Sequence, residues 1–175
     1  RNYDINLHTL LTNKGTYSIG NDIQLASFEN AEKRKSDFYG ANGSKVQLSS
    51  ILASRLLNPD NPIIVLARNP AETFKVAEIL TGSVNRNFPE DDEIELISRY
   101  IDTEMGADFP LSKYLAKRIG IHSAALPEEI RWLMEDLMAR EKLQALVATT
   151  TIAQGINFPV SGVVAGSLNY FSSGS

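Results

Sequence analysis

The chain has 175 residues, 43% hydrophobic and 22% charged, as in an ordinary domain with one core. It contains no cysteine and only two histidines, His8 and His122, which excludes disulfides, thiolate metal sites and a histidine-based metal centre. No apolar run is long enough to cross a membrane, and the net charge of −4 does not indicate a generally basic surface. We expect a cytoplasmic protein. Because the sequence begins at Arg1 and ends in S-S-G-S, we also expect a fragment of a longer chain.

The first part of the chain, residues 1–43, is the hardest to interpret. Residues 3–8 and 22–26 alternate apolar and polar side chains as strands do, and turn residues lie between them. We predict a hairpin or an extended linker here. Residues 29–43 are polar and turn-rich, which predicts a surface loop.

From residue 44 the pattern becomes regular. Ser44 and Gln47 form a capping box that starts a helix, which Asn58-Pro59 ends. The unbroken apolar run over 62–67 predicts a strand buried on both faces, as in a parallel sheet. Asn69-Pro70 then starts a second helix, closed by Thr81-Gly82.

Helices and strands continue to alternate through the rest of the chain. We predict helices over 89–104, 111–118 and from Pro127 onward, and strands over 119–122, 144–149 and 162–165. This order predicts an α/β fold, a parallel sheet covered by helices with right-handed crossovers. Such sheets bind ligands at the carboxyl ends of their strands.

Polar residues follow the apolar strand over 144–149 at its carboxyl end. Thr149-Thr150-Thr151 presents hydroxyls and backbone N–H groups together, a set that suits a phosphate oxygen. Gly155 allows a close approach of backbone or ligand, and Asn157 can both donate to and accept from a ribose hydroxyl. The alternative is structural, because threonines favour strands and also cap helices.

Three segments of the chain resemble superfamily-two helicases of the DEAD/DEAH-box and Ski-like kind. The segment A-T-T-T-I-A-Q-G-I-N-F-P over 148–159 closely resembles motif V, commonly A-T-S-T-L-A-x-G-V-N-L-P-A. The segment H-S-A-A-L-P-E-E-I-R over 122–131 is similar to H-H-A-G-L-x-x-E-x-R, with departures at Ser123 and Ala125. The strand and loop over 62–70 resemble motif IV.

The resemblance covers roughly residues 44–168. It implies the second RecA-like lobe of a helicase, a three-layer fold with a parallel sheet and helices on both faces. On this interpretation residues 44–175 form a helicase C-terminal domain that is incomplete at its end, and residues 1–43 link it to a first lobe. The helices between 90 and 118 match the extra helical segment of the Ski-like branch.

The resemblance also implies roles for single residues. It places the contacts to the backbone of a nucleic-acid strand at Thr149, Thr150, Thr151, Arg68, His122 and Ser123, and Thr151 occupies the most regular threonine position. It places Gly155 and Asn157 in the ATP cleft between two lobes. Structural alternatives remain open: helix capping for the threonines, a turn for Gly155 and Asn157, and a solvated arginine or a buried histidine for the others.

Several helicase motifs are absent from the sequence. It contains no G-x-x-x-x-G-K-[ST] phosphate loop, no D-E-x-[HD] motif for Mg²⁺ and no Q-x-x-G-R-x-G-R motif with its arginine finger. We therefore expect ATP and Mg²⁺ to be bound mainly by a first lobe. We also expect no catalytic residue, no metal ligand and no ATP hydrolysis in this chain alone.

Two other classes of function remain open. The domain could be a nucleic-acid- or protein-binding module that has lost ATPase activity, or an unrelated doubly wound domain that binds a small molecule. The second has little support, because no glycine-rich phosphate loop follows the strand over 62–67. The expected partners are the first lobe and single-stranded or duplex nucleic acid, RNA or DNA. The sequence does not distinguish the two nucleic acids, because no residue identifiably reads a 2′-hydroxyl.

Overall fold

The computed structural model describes residues 3–7, 10–13, 16–19, 23–28, 44–149, 152 and 158–165. The chain divides into two compact units, Arg1–Ser44 and Lys45–Ser175. The described part of the first unit consists of short strands: β1 (Tyr3–Leu7), β2 (Leu10–Asn13), β3 (Thr16–Ile19) and β4 (Ile23–Phe28).

The strands of the first unit pair in two antiparallel sets. Strand β1 pairs with β4, and β2 pairs with β3. The two strands that the alternating pattern predicts are therefore present and pair with each other. The second pair, β2 with β3, was not predicted from the sequence. The predicted surface loop over 29–43 lies outside the described residues.

The second unit alternates helices and strands, as the sequence predicts. Its elements are α1 (Ser44–Leu56), β5 (Ile63–Ala67), α2 (Pro70–Ser83), α3 (Asp92–Met105), α4 (Leu111–Leu115), β6 (Ile119–His122), α5 (Glu128–Ala139), β7 (Ala145–Thr149) and β8 (Gly162–Ala165). Within the described ranges, no helix has the length and apolar character needed to cross a membrane.

Strands β5 to β8 form one parallel sheet in the order β6-β7-β5-β8. The connection from β5 to β6 crosses the sheet toward the β6 edge. The connection from β6 to β7 crosses back in the opposite direction. Right-handed crossovers therefore place α2 and α5 on opposite faces. This arrangement confirms the predicted α/β class and is consistent with a RecA-like fold.

The core of the second unit lies on both faces of β6 and β7, whose residues are all buried. Strands covered on both faces become continuous apolar runs, which is why the sequence identifies them. Gly120 in β6 leaves room for two leucines of the β7 segment, since a Cβ there would lie 2.7 Å from Leu143 Cδ1 and 3.0 Å from Leu146 Cδ1.

Helix ends differ from the sequence prediction by a few residues. Helix α3 begins at Asp92 rather than at residue 89 because Asp91 caps it, accepting hydrogen bonds from the backbone N–H groups of Glu93 and Ile94 at 3.1 and 3.3 Å. Helix α4 ends at Leu115, and the following turn places Arg118 in a left-handed conformation with φ 58°. The cap at Asn69 is confirmed, since its side chain accepts from the Glu72 N–H at 3.0 Å.

Candidate nucleic-acid interface

The carboxyl ends of β6, β7 and β5 meet at one edge of the sheet. In the strand register Ala67 pairs with Thr149, and His122 pairs with Ala148. Adjacent strands lie about 4.8 Å apart. The structure thus brings the ends of three strands together, and with them Arg68, His122, Ser123 and Thr149.

Arg68 follows β5 directly and is held by the first turn of α2. Its guanidinium Nη2 donates to Glu72 Oε1 at 2.7 Å, and its backbone N–H donates to Glu72 Oε2 at 3.0 Å. The side chain is 47% exposed. Because a guanidinium carries five donors, this ion pair leaves others for an additional acceptor. Arg68 is thus both paired and accessible.

His122 ends β6 and is buried against α5. Its Nε2 lies 2.6 Å from Glu135 Oε1, and its Nδ1 is buried without a hydrogen-bond partner. The histidine side chain is 9% exposed and that of Glu135 is 26% exposed. A direct contact between His122 and a ligand would therefore require its surroundings to move. The structure therefore shows a buried histidine paired through Nε2 with Glu135, rather than a half-buried one with both ring nitrogens satisfied.

Ser123 forms a turn between β6 and α5. Its hydroxyl accepts from the Ala125 N–H at 3.2 Å, and its carbonyl accepts from the Leu126 N–H at 3.0 Å. The residue is fully buried. Serine can make this local turn where the resembling helicase segment usually has a second histidine. Its hydroxyl therefore has a structural role.

The threonine segment starts at the end of the central strand β7. Thr149 is the last residue of β7, is buried, and interacts within the protein. Thr150, Thr151, Gly155 and Asn157 lie outside the described residues. Two apolar members of the same segment, Ile152 and Phe158, are buried in the core.

One further cation near this edge, Arg131, is not among the predicted site residues. Arg131 lies one helical turn before Glu135 on α5, so both are on the same face of that helix. Its Nε is buried without a hydrogen-bond partner. The sequence feature that could have identified Arg131 is its position as the last residue of the H-S-A-A-L-P-E-E-I-R segment.

The chain is similar to curated proteins, although no protein-family model matches it. It is 31% identical over 117 residues to activating signal cointegrator 1 complex subunit 3 of Rattus norvegicus, covering 65% of this chain and 5% of that protein. The human protein of the same name is 31% identical over 124 residues, covering 68% of this chain and 6% of that protein. A shorter match, 39% over 61 residues, joins 35% of the chain to Hachiman protein HamB of Bacillus cereus. The chain spans only about one twentieth of the length of these relatives.

Proposed function

We propose that residues 44–175 are a helicase-derived domain, the second RecA-like lobe of an ATP-dependent helicase or translocase. One observation carries the proposal: the segment resembling motif V starts at the carboxyl end of the central strand β7, between the ends of β5 and β6. Parallel sheets bind their ligands at this position. The similarity to activating signal cointegrator 1 complex subunit 3 over about two thirds of the chain supports the same origin.

In this proposal the carboxyl edge holds a nucleic-acid strand by its sugar-phosphate backbone. Thr151 donates its hydroxyl to a phosphate oxygen, with Thr149 and Thr150 beside it. Arg68 contacts a second phosphate with donors that Glu72 does not use. His122 and Ser123 support the edge from β6. Backbone contacts of this kind depend on salt rather than on base sequence.

The same segment would also reach the nucleotide of a two-lobe motor. Gly155 and Asn157 would face the cleft between the lobes, where ATP supplies the free energy for closure. Among the described residues no group of three or more His, Asp or Glu is placed to hold a metal. In this proposal Mg²⁺ and the phosphates of ATP would be bound mainly by residues of a first lobe, because the sequence contains no phosphate loop and no D-E-x-[HD] motif.

Equilibrium binding of single-stranded nucleic acid tests the proposal. We expect fluorescein-labelled oligouridine or oligothymidine to bind the chain, with an affinity that falls as salt rises. Thr151→Ala should weaken binding about tenfold, which corresponds to about 1.4 kcal/mol. The matched control is Thr103→Ala on α3, because Thr103 is exposed and its hydroxyl only bonds the Arg99 carbonyl at 2.8 Å. Equal affinities of the wild type and Thr151→Ala would contradict the proposed role of the threonines.

ATP hydrolysis separates the motor from a binding module without ATPase activity. We expect no turnover by this chain alone, and turnover stimulated by nucleic acid when the lobe is joined to a lobe with a phosphate loop. Turnover by the purified chain that persists after contaminants are removed would contradict the first expectation. A joined protein that binds nucleic acid without hydrolysing ATP would support the binding module instead.

A further inference from the structure

A pocket lies at the amino-terminal edge of the sheet, opposite the candidate nucleic-acid interface. It has a volume of about 420 Å³, within the range of ligand pockets in proteins. Arg118 and Gln144, which line it, immediately precede β6 and β7. We call it the amino-edge pocket; the lining residues that matter here are Arg86, Phe88, Asp91, Arg118, Lys142 and Gln144.

An aromatic ring with two guanidinium groups close to it forms part of the wall. The Arg86 Cζ lies 5.2 Å and the Arg118 Cζ 5.7 Å from the centroid of the Phe88 ring. Arg118 is 8% exposed and donates from Nη2 to the Pro89 carbonyl at 3.1 Å. Its Nη1 is buried without a hydrogen-bond partner, 3.6 Å from Asp91 Oδ2. The wall thus combines apolar surface with a buried cation whose donors are not all used.

One of the two acids in the lining, Asp91, is already engaged. Asp91 Oδ2 accepts from Lys142 Nζ at 2.8 Å, and Asp91 Oδ1 caps α3. The hydrogen bond from Lys142, the cap and the charge of Arg118 outweigh the opposing effect of burial and lower the pKa of Asp91. Its negative charge is therefore compensated and repels an incoming anion only weakly.

Two neighbouring cations are not paired with an acid in the part of the chain that the structure describes: Arg86 lines the pocket, and Lys117 lies beside it and contacts Arg86. Arg86 instead donates to Gln144 Oε1 at 3.0 Å, and Lys117 Nζ donates to the Arg86 carbonyl at 3.0 Å. The lining holds three cations, Arg86, Arg118 and Lys142, against two carboxylates, Asp91 and Glu141, and Lys117 adds a cation beside it. This local excess of positive charge favours an anionic ligand.

Two backbone conformations at the same pocket are uncommon. Arg118 and Glu141, with φ 58° and 55°, are the non-glycine residues with positive φ in the described part of the chain. Both line the pocket. Such conformations cost free energy and often mark places where a side chain must be held in a set direction.

The available donors indicate what kind of anion fits. The lining contains no side-chain hydroxyl, and both ends of the Gln144 amide are used, by Arg86 and by the Lys117 carbonyl at 2.7 Å. The start of α3, which would suit a phosphate, is occupied by the Asp91 carboxylate. Asn87 and Glu141 are the polar side chains of the lining that remain to read a sugar or a base, whereas a carboxylate beside an apolar side chain matches the cations and the wall.

We propose that the amino-edge pocket docks an acidic peptide segment of a partner protein, with a carboxylate at Arg86 and Lys117 and an apolar side chain against Phe88. This inference does not depend on nucleic-acid binding at the carboxyl edge. Because the two surfaces lie at opposite edges of one sheet, both can be occupied at once.

Fluorescence anisotropy with the whole chain and a defined probe tests the proposal. The probe is a short fluorescein-labelled peptide that alternates glutamate and leucine, and its matched control carries lysine in place of every glutamate. We expect only the acidic probe to bind, and Arg86→Glu to weaken it about tenfold. Arg99→Glu makes the same charge change on α3, where the Arg99 side chain is 68% exposed and outside the pocket lining, and should leave binding unchanged.

Several outcomes would overturn the proposal. The first is that the acidic probe does not bind. The second is that Arg86→Glu and Arg99→Glu weaken binding of the acidic probe equally. The third is that adenosine monophosphate displaces the probe more readily than unlabelled peptide does. Amide NMR of the wild type with the acidic probe keeps the test valid if a variant fails to fold. Shifts confined to residues 86–91, 117–118 and 141–144 would support the proposal, and shifts elsewhere would contradict it.

Discussion

His122 and Glu135 form the contact that fixes the end of β6 at the candidate interface. Their side chains meet at 2.6 Å across the space between the sheet and α5, and the histidine is almost fully buried. A buried polar group that loses its partner costs more than the net gain of forming the bond. This pair is therefore the contact whose loss should affect the stability of that edge most.

We expect Glu135→Ala to lower the free energy of unfolding by about 1 to 3 kcal/mol, because it leaves the buried His122 side chain unpartnered. Urea denaturation measures the change. Glu104→Ala on α3 is the control, since Glu104 is exposed and its carboxylate makes no hydrogen bond or ion pair within the described part of the chain. Equal stability of the two variants would show that the pair contributes nothing.

Asp91 should make stability depend on pH. Its pKa lies below the ordinary value of an aspartate, first because of the hydrogen bond from Lys142. A lowered folded-state pKa adds stability above the unfolded-state pKa, and this stability is lost as pH falls through the folded-state value. Asp91→Asn keeps a helix-capping side chain but removes the charge.

We expect Asp91→Asn to be less stable than the wild type by about 1 kcal/mol at neutral pH, a small value because the ion pairs are partly solvated. The difference should shrink as pH falls below about 4. Denaturation series at neutral and acidic pH measure it. A difference that stays constant over this range would mean that the charge of Asp91 does not stabilise the fold.

At the scale of elements, β6 packs closely against the leucines of the β7 segment because Gly120 has no side chain. A Cβ at this position would lie 2.7 Å from Leu143 Cδ1 and 3.0 Å from Leu146 Cδ1, both on buried leucines. Gly82 offers a control, because a Cβ there would meet nothing within 4 Å. It lies in the last turn of α2, where alanine is a better helix former.

We expect Gly120→Ala to lower the melting temperature, with a loss of about 1 to 3 kcal/mol from overpacking. Gly82→Ala should leave the melting temperature unchanged or raise it. Circular dichroism melts of both variants measure this. A Gly120→Ala protein as stable as the wild type would show that α5 and the leucines can move away from β6 at little cost.

The sequence predicts the elements of the second unit well, and for a physical reason. Strands β5 and β7 are buried on both faces, so their apolar runs are unbroken. The cap at Asn69 likewise has a local signal. Exact helix ends are less predictable: the predicted start at residue 89 missed the local cap of α3 at Asp91, and the left-handed turn at Arg118, whose guanidinium donates to the Pro89 carbonyl, has no local signal.

The candidate sites differ in how far the sequence predicts them. The carboxyl edge is predictable because strand ends of a parallel sheet meet there, and the register of β5, β6 and β7 brings their ends together. The pairing of Arg68 with Glu72 and of His122 with Glu135 was not predicted. The amino-edge pocket has no sequence signal, since Arg86, Arg118 and Lys142 are far apart in the chain and meet only when the sheet forms.

At the scale of the whole molecule, the second unit has two surfaces at opposite edges of one sheet. The carboxyl edge carries the proposed nucleic-acid contacts, and the amino edge carries the proposed peptide pocket. The chain corresponds to 5% to 6% of the length of relatives such as activating signal cointegrator 1 complex subunit 3.

Amide NMR of the whole chain, titrated with single-stranded oligouridine and separately with oligothymidine, tests the central claim most directly. We predict that the shifts map to the carboxyl edge, at residues 68–69, 122–123, 131 and 149–151, and weaken as salt is added. A larger response to one oligonucleotide would identify the preferred nucleic acid. Shifts at the amino-edge pocket instead, or no shifts with either oligonucleotide, would contradict the assignment of the carboxyl edge as a nucleic-acid interface.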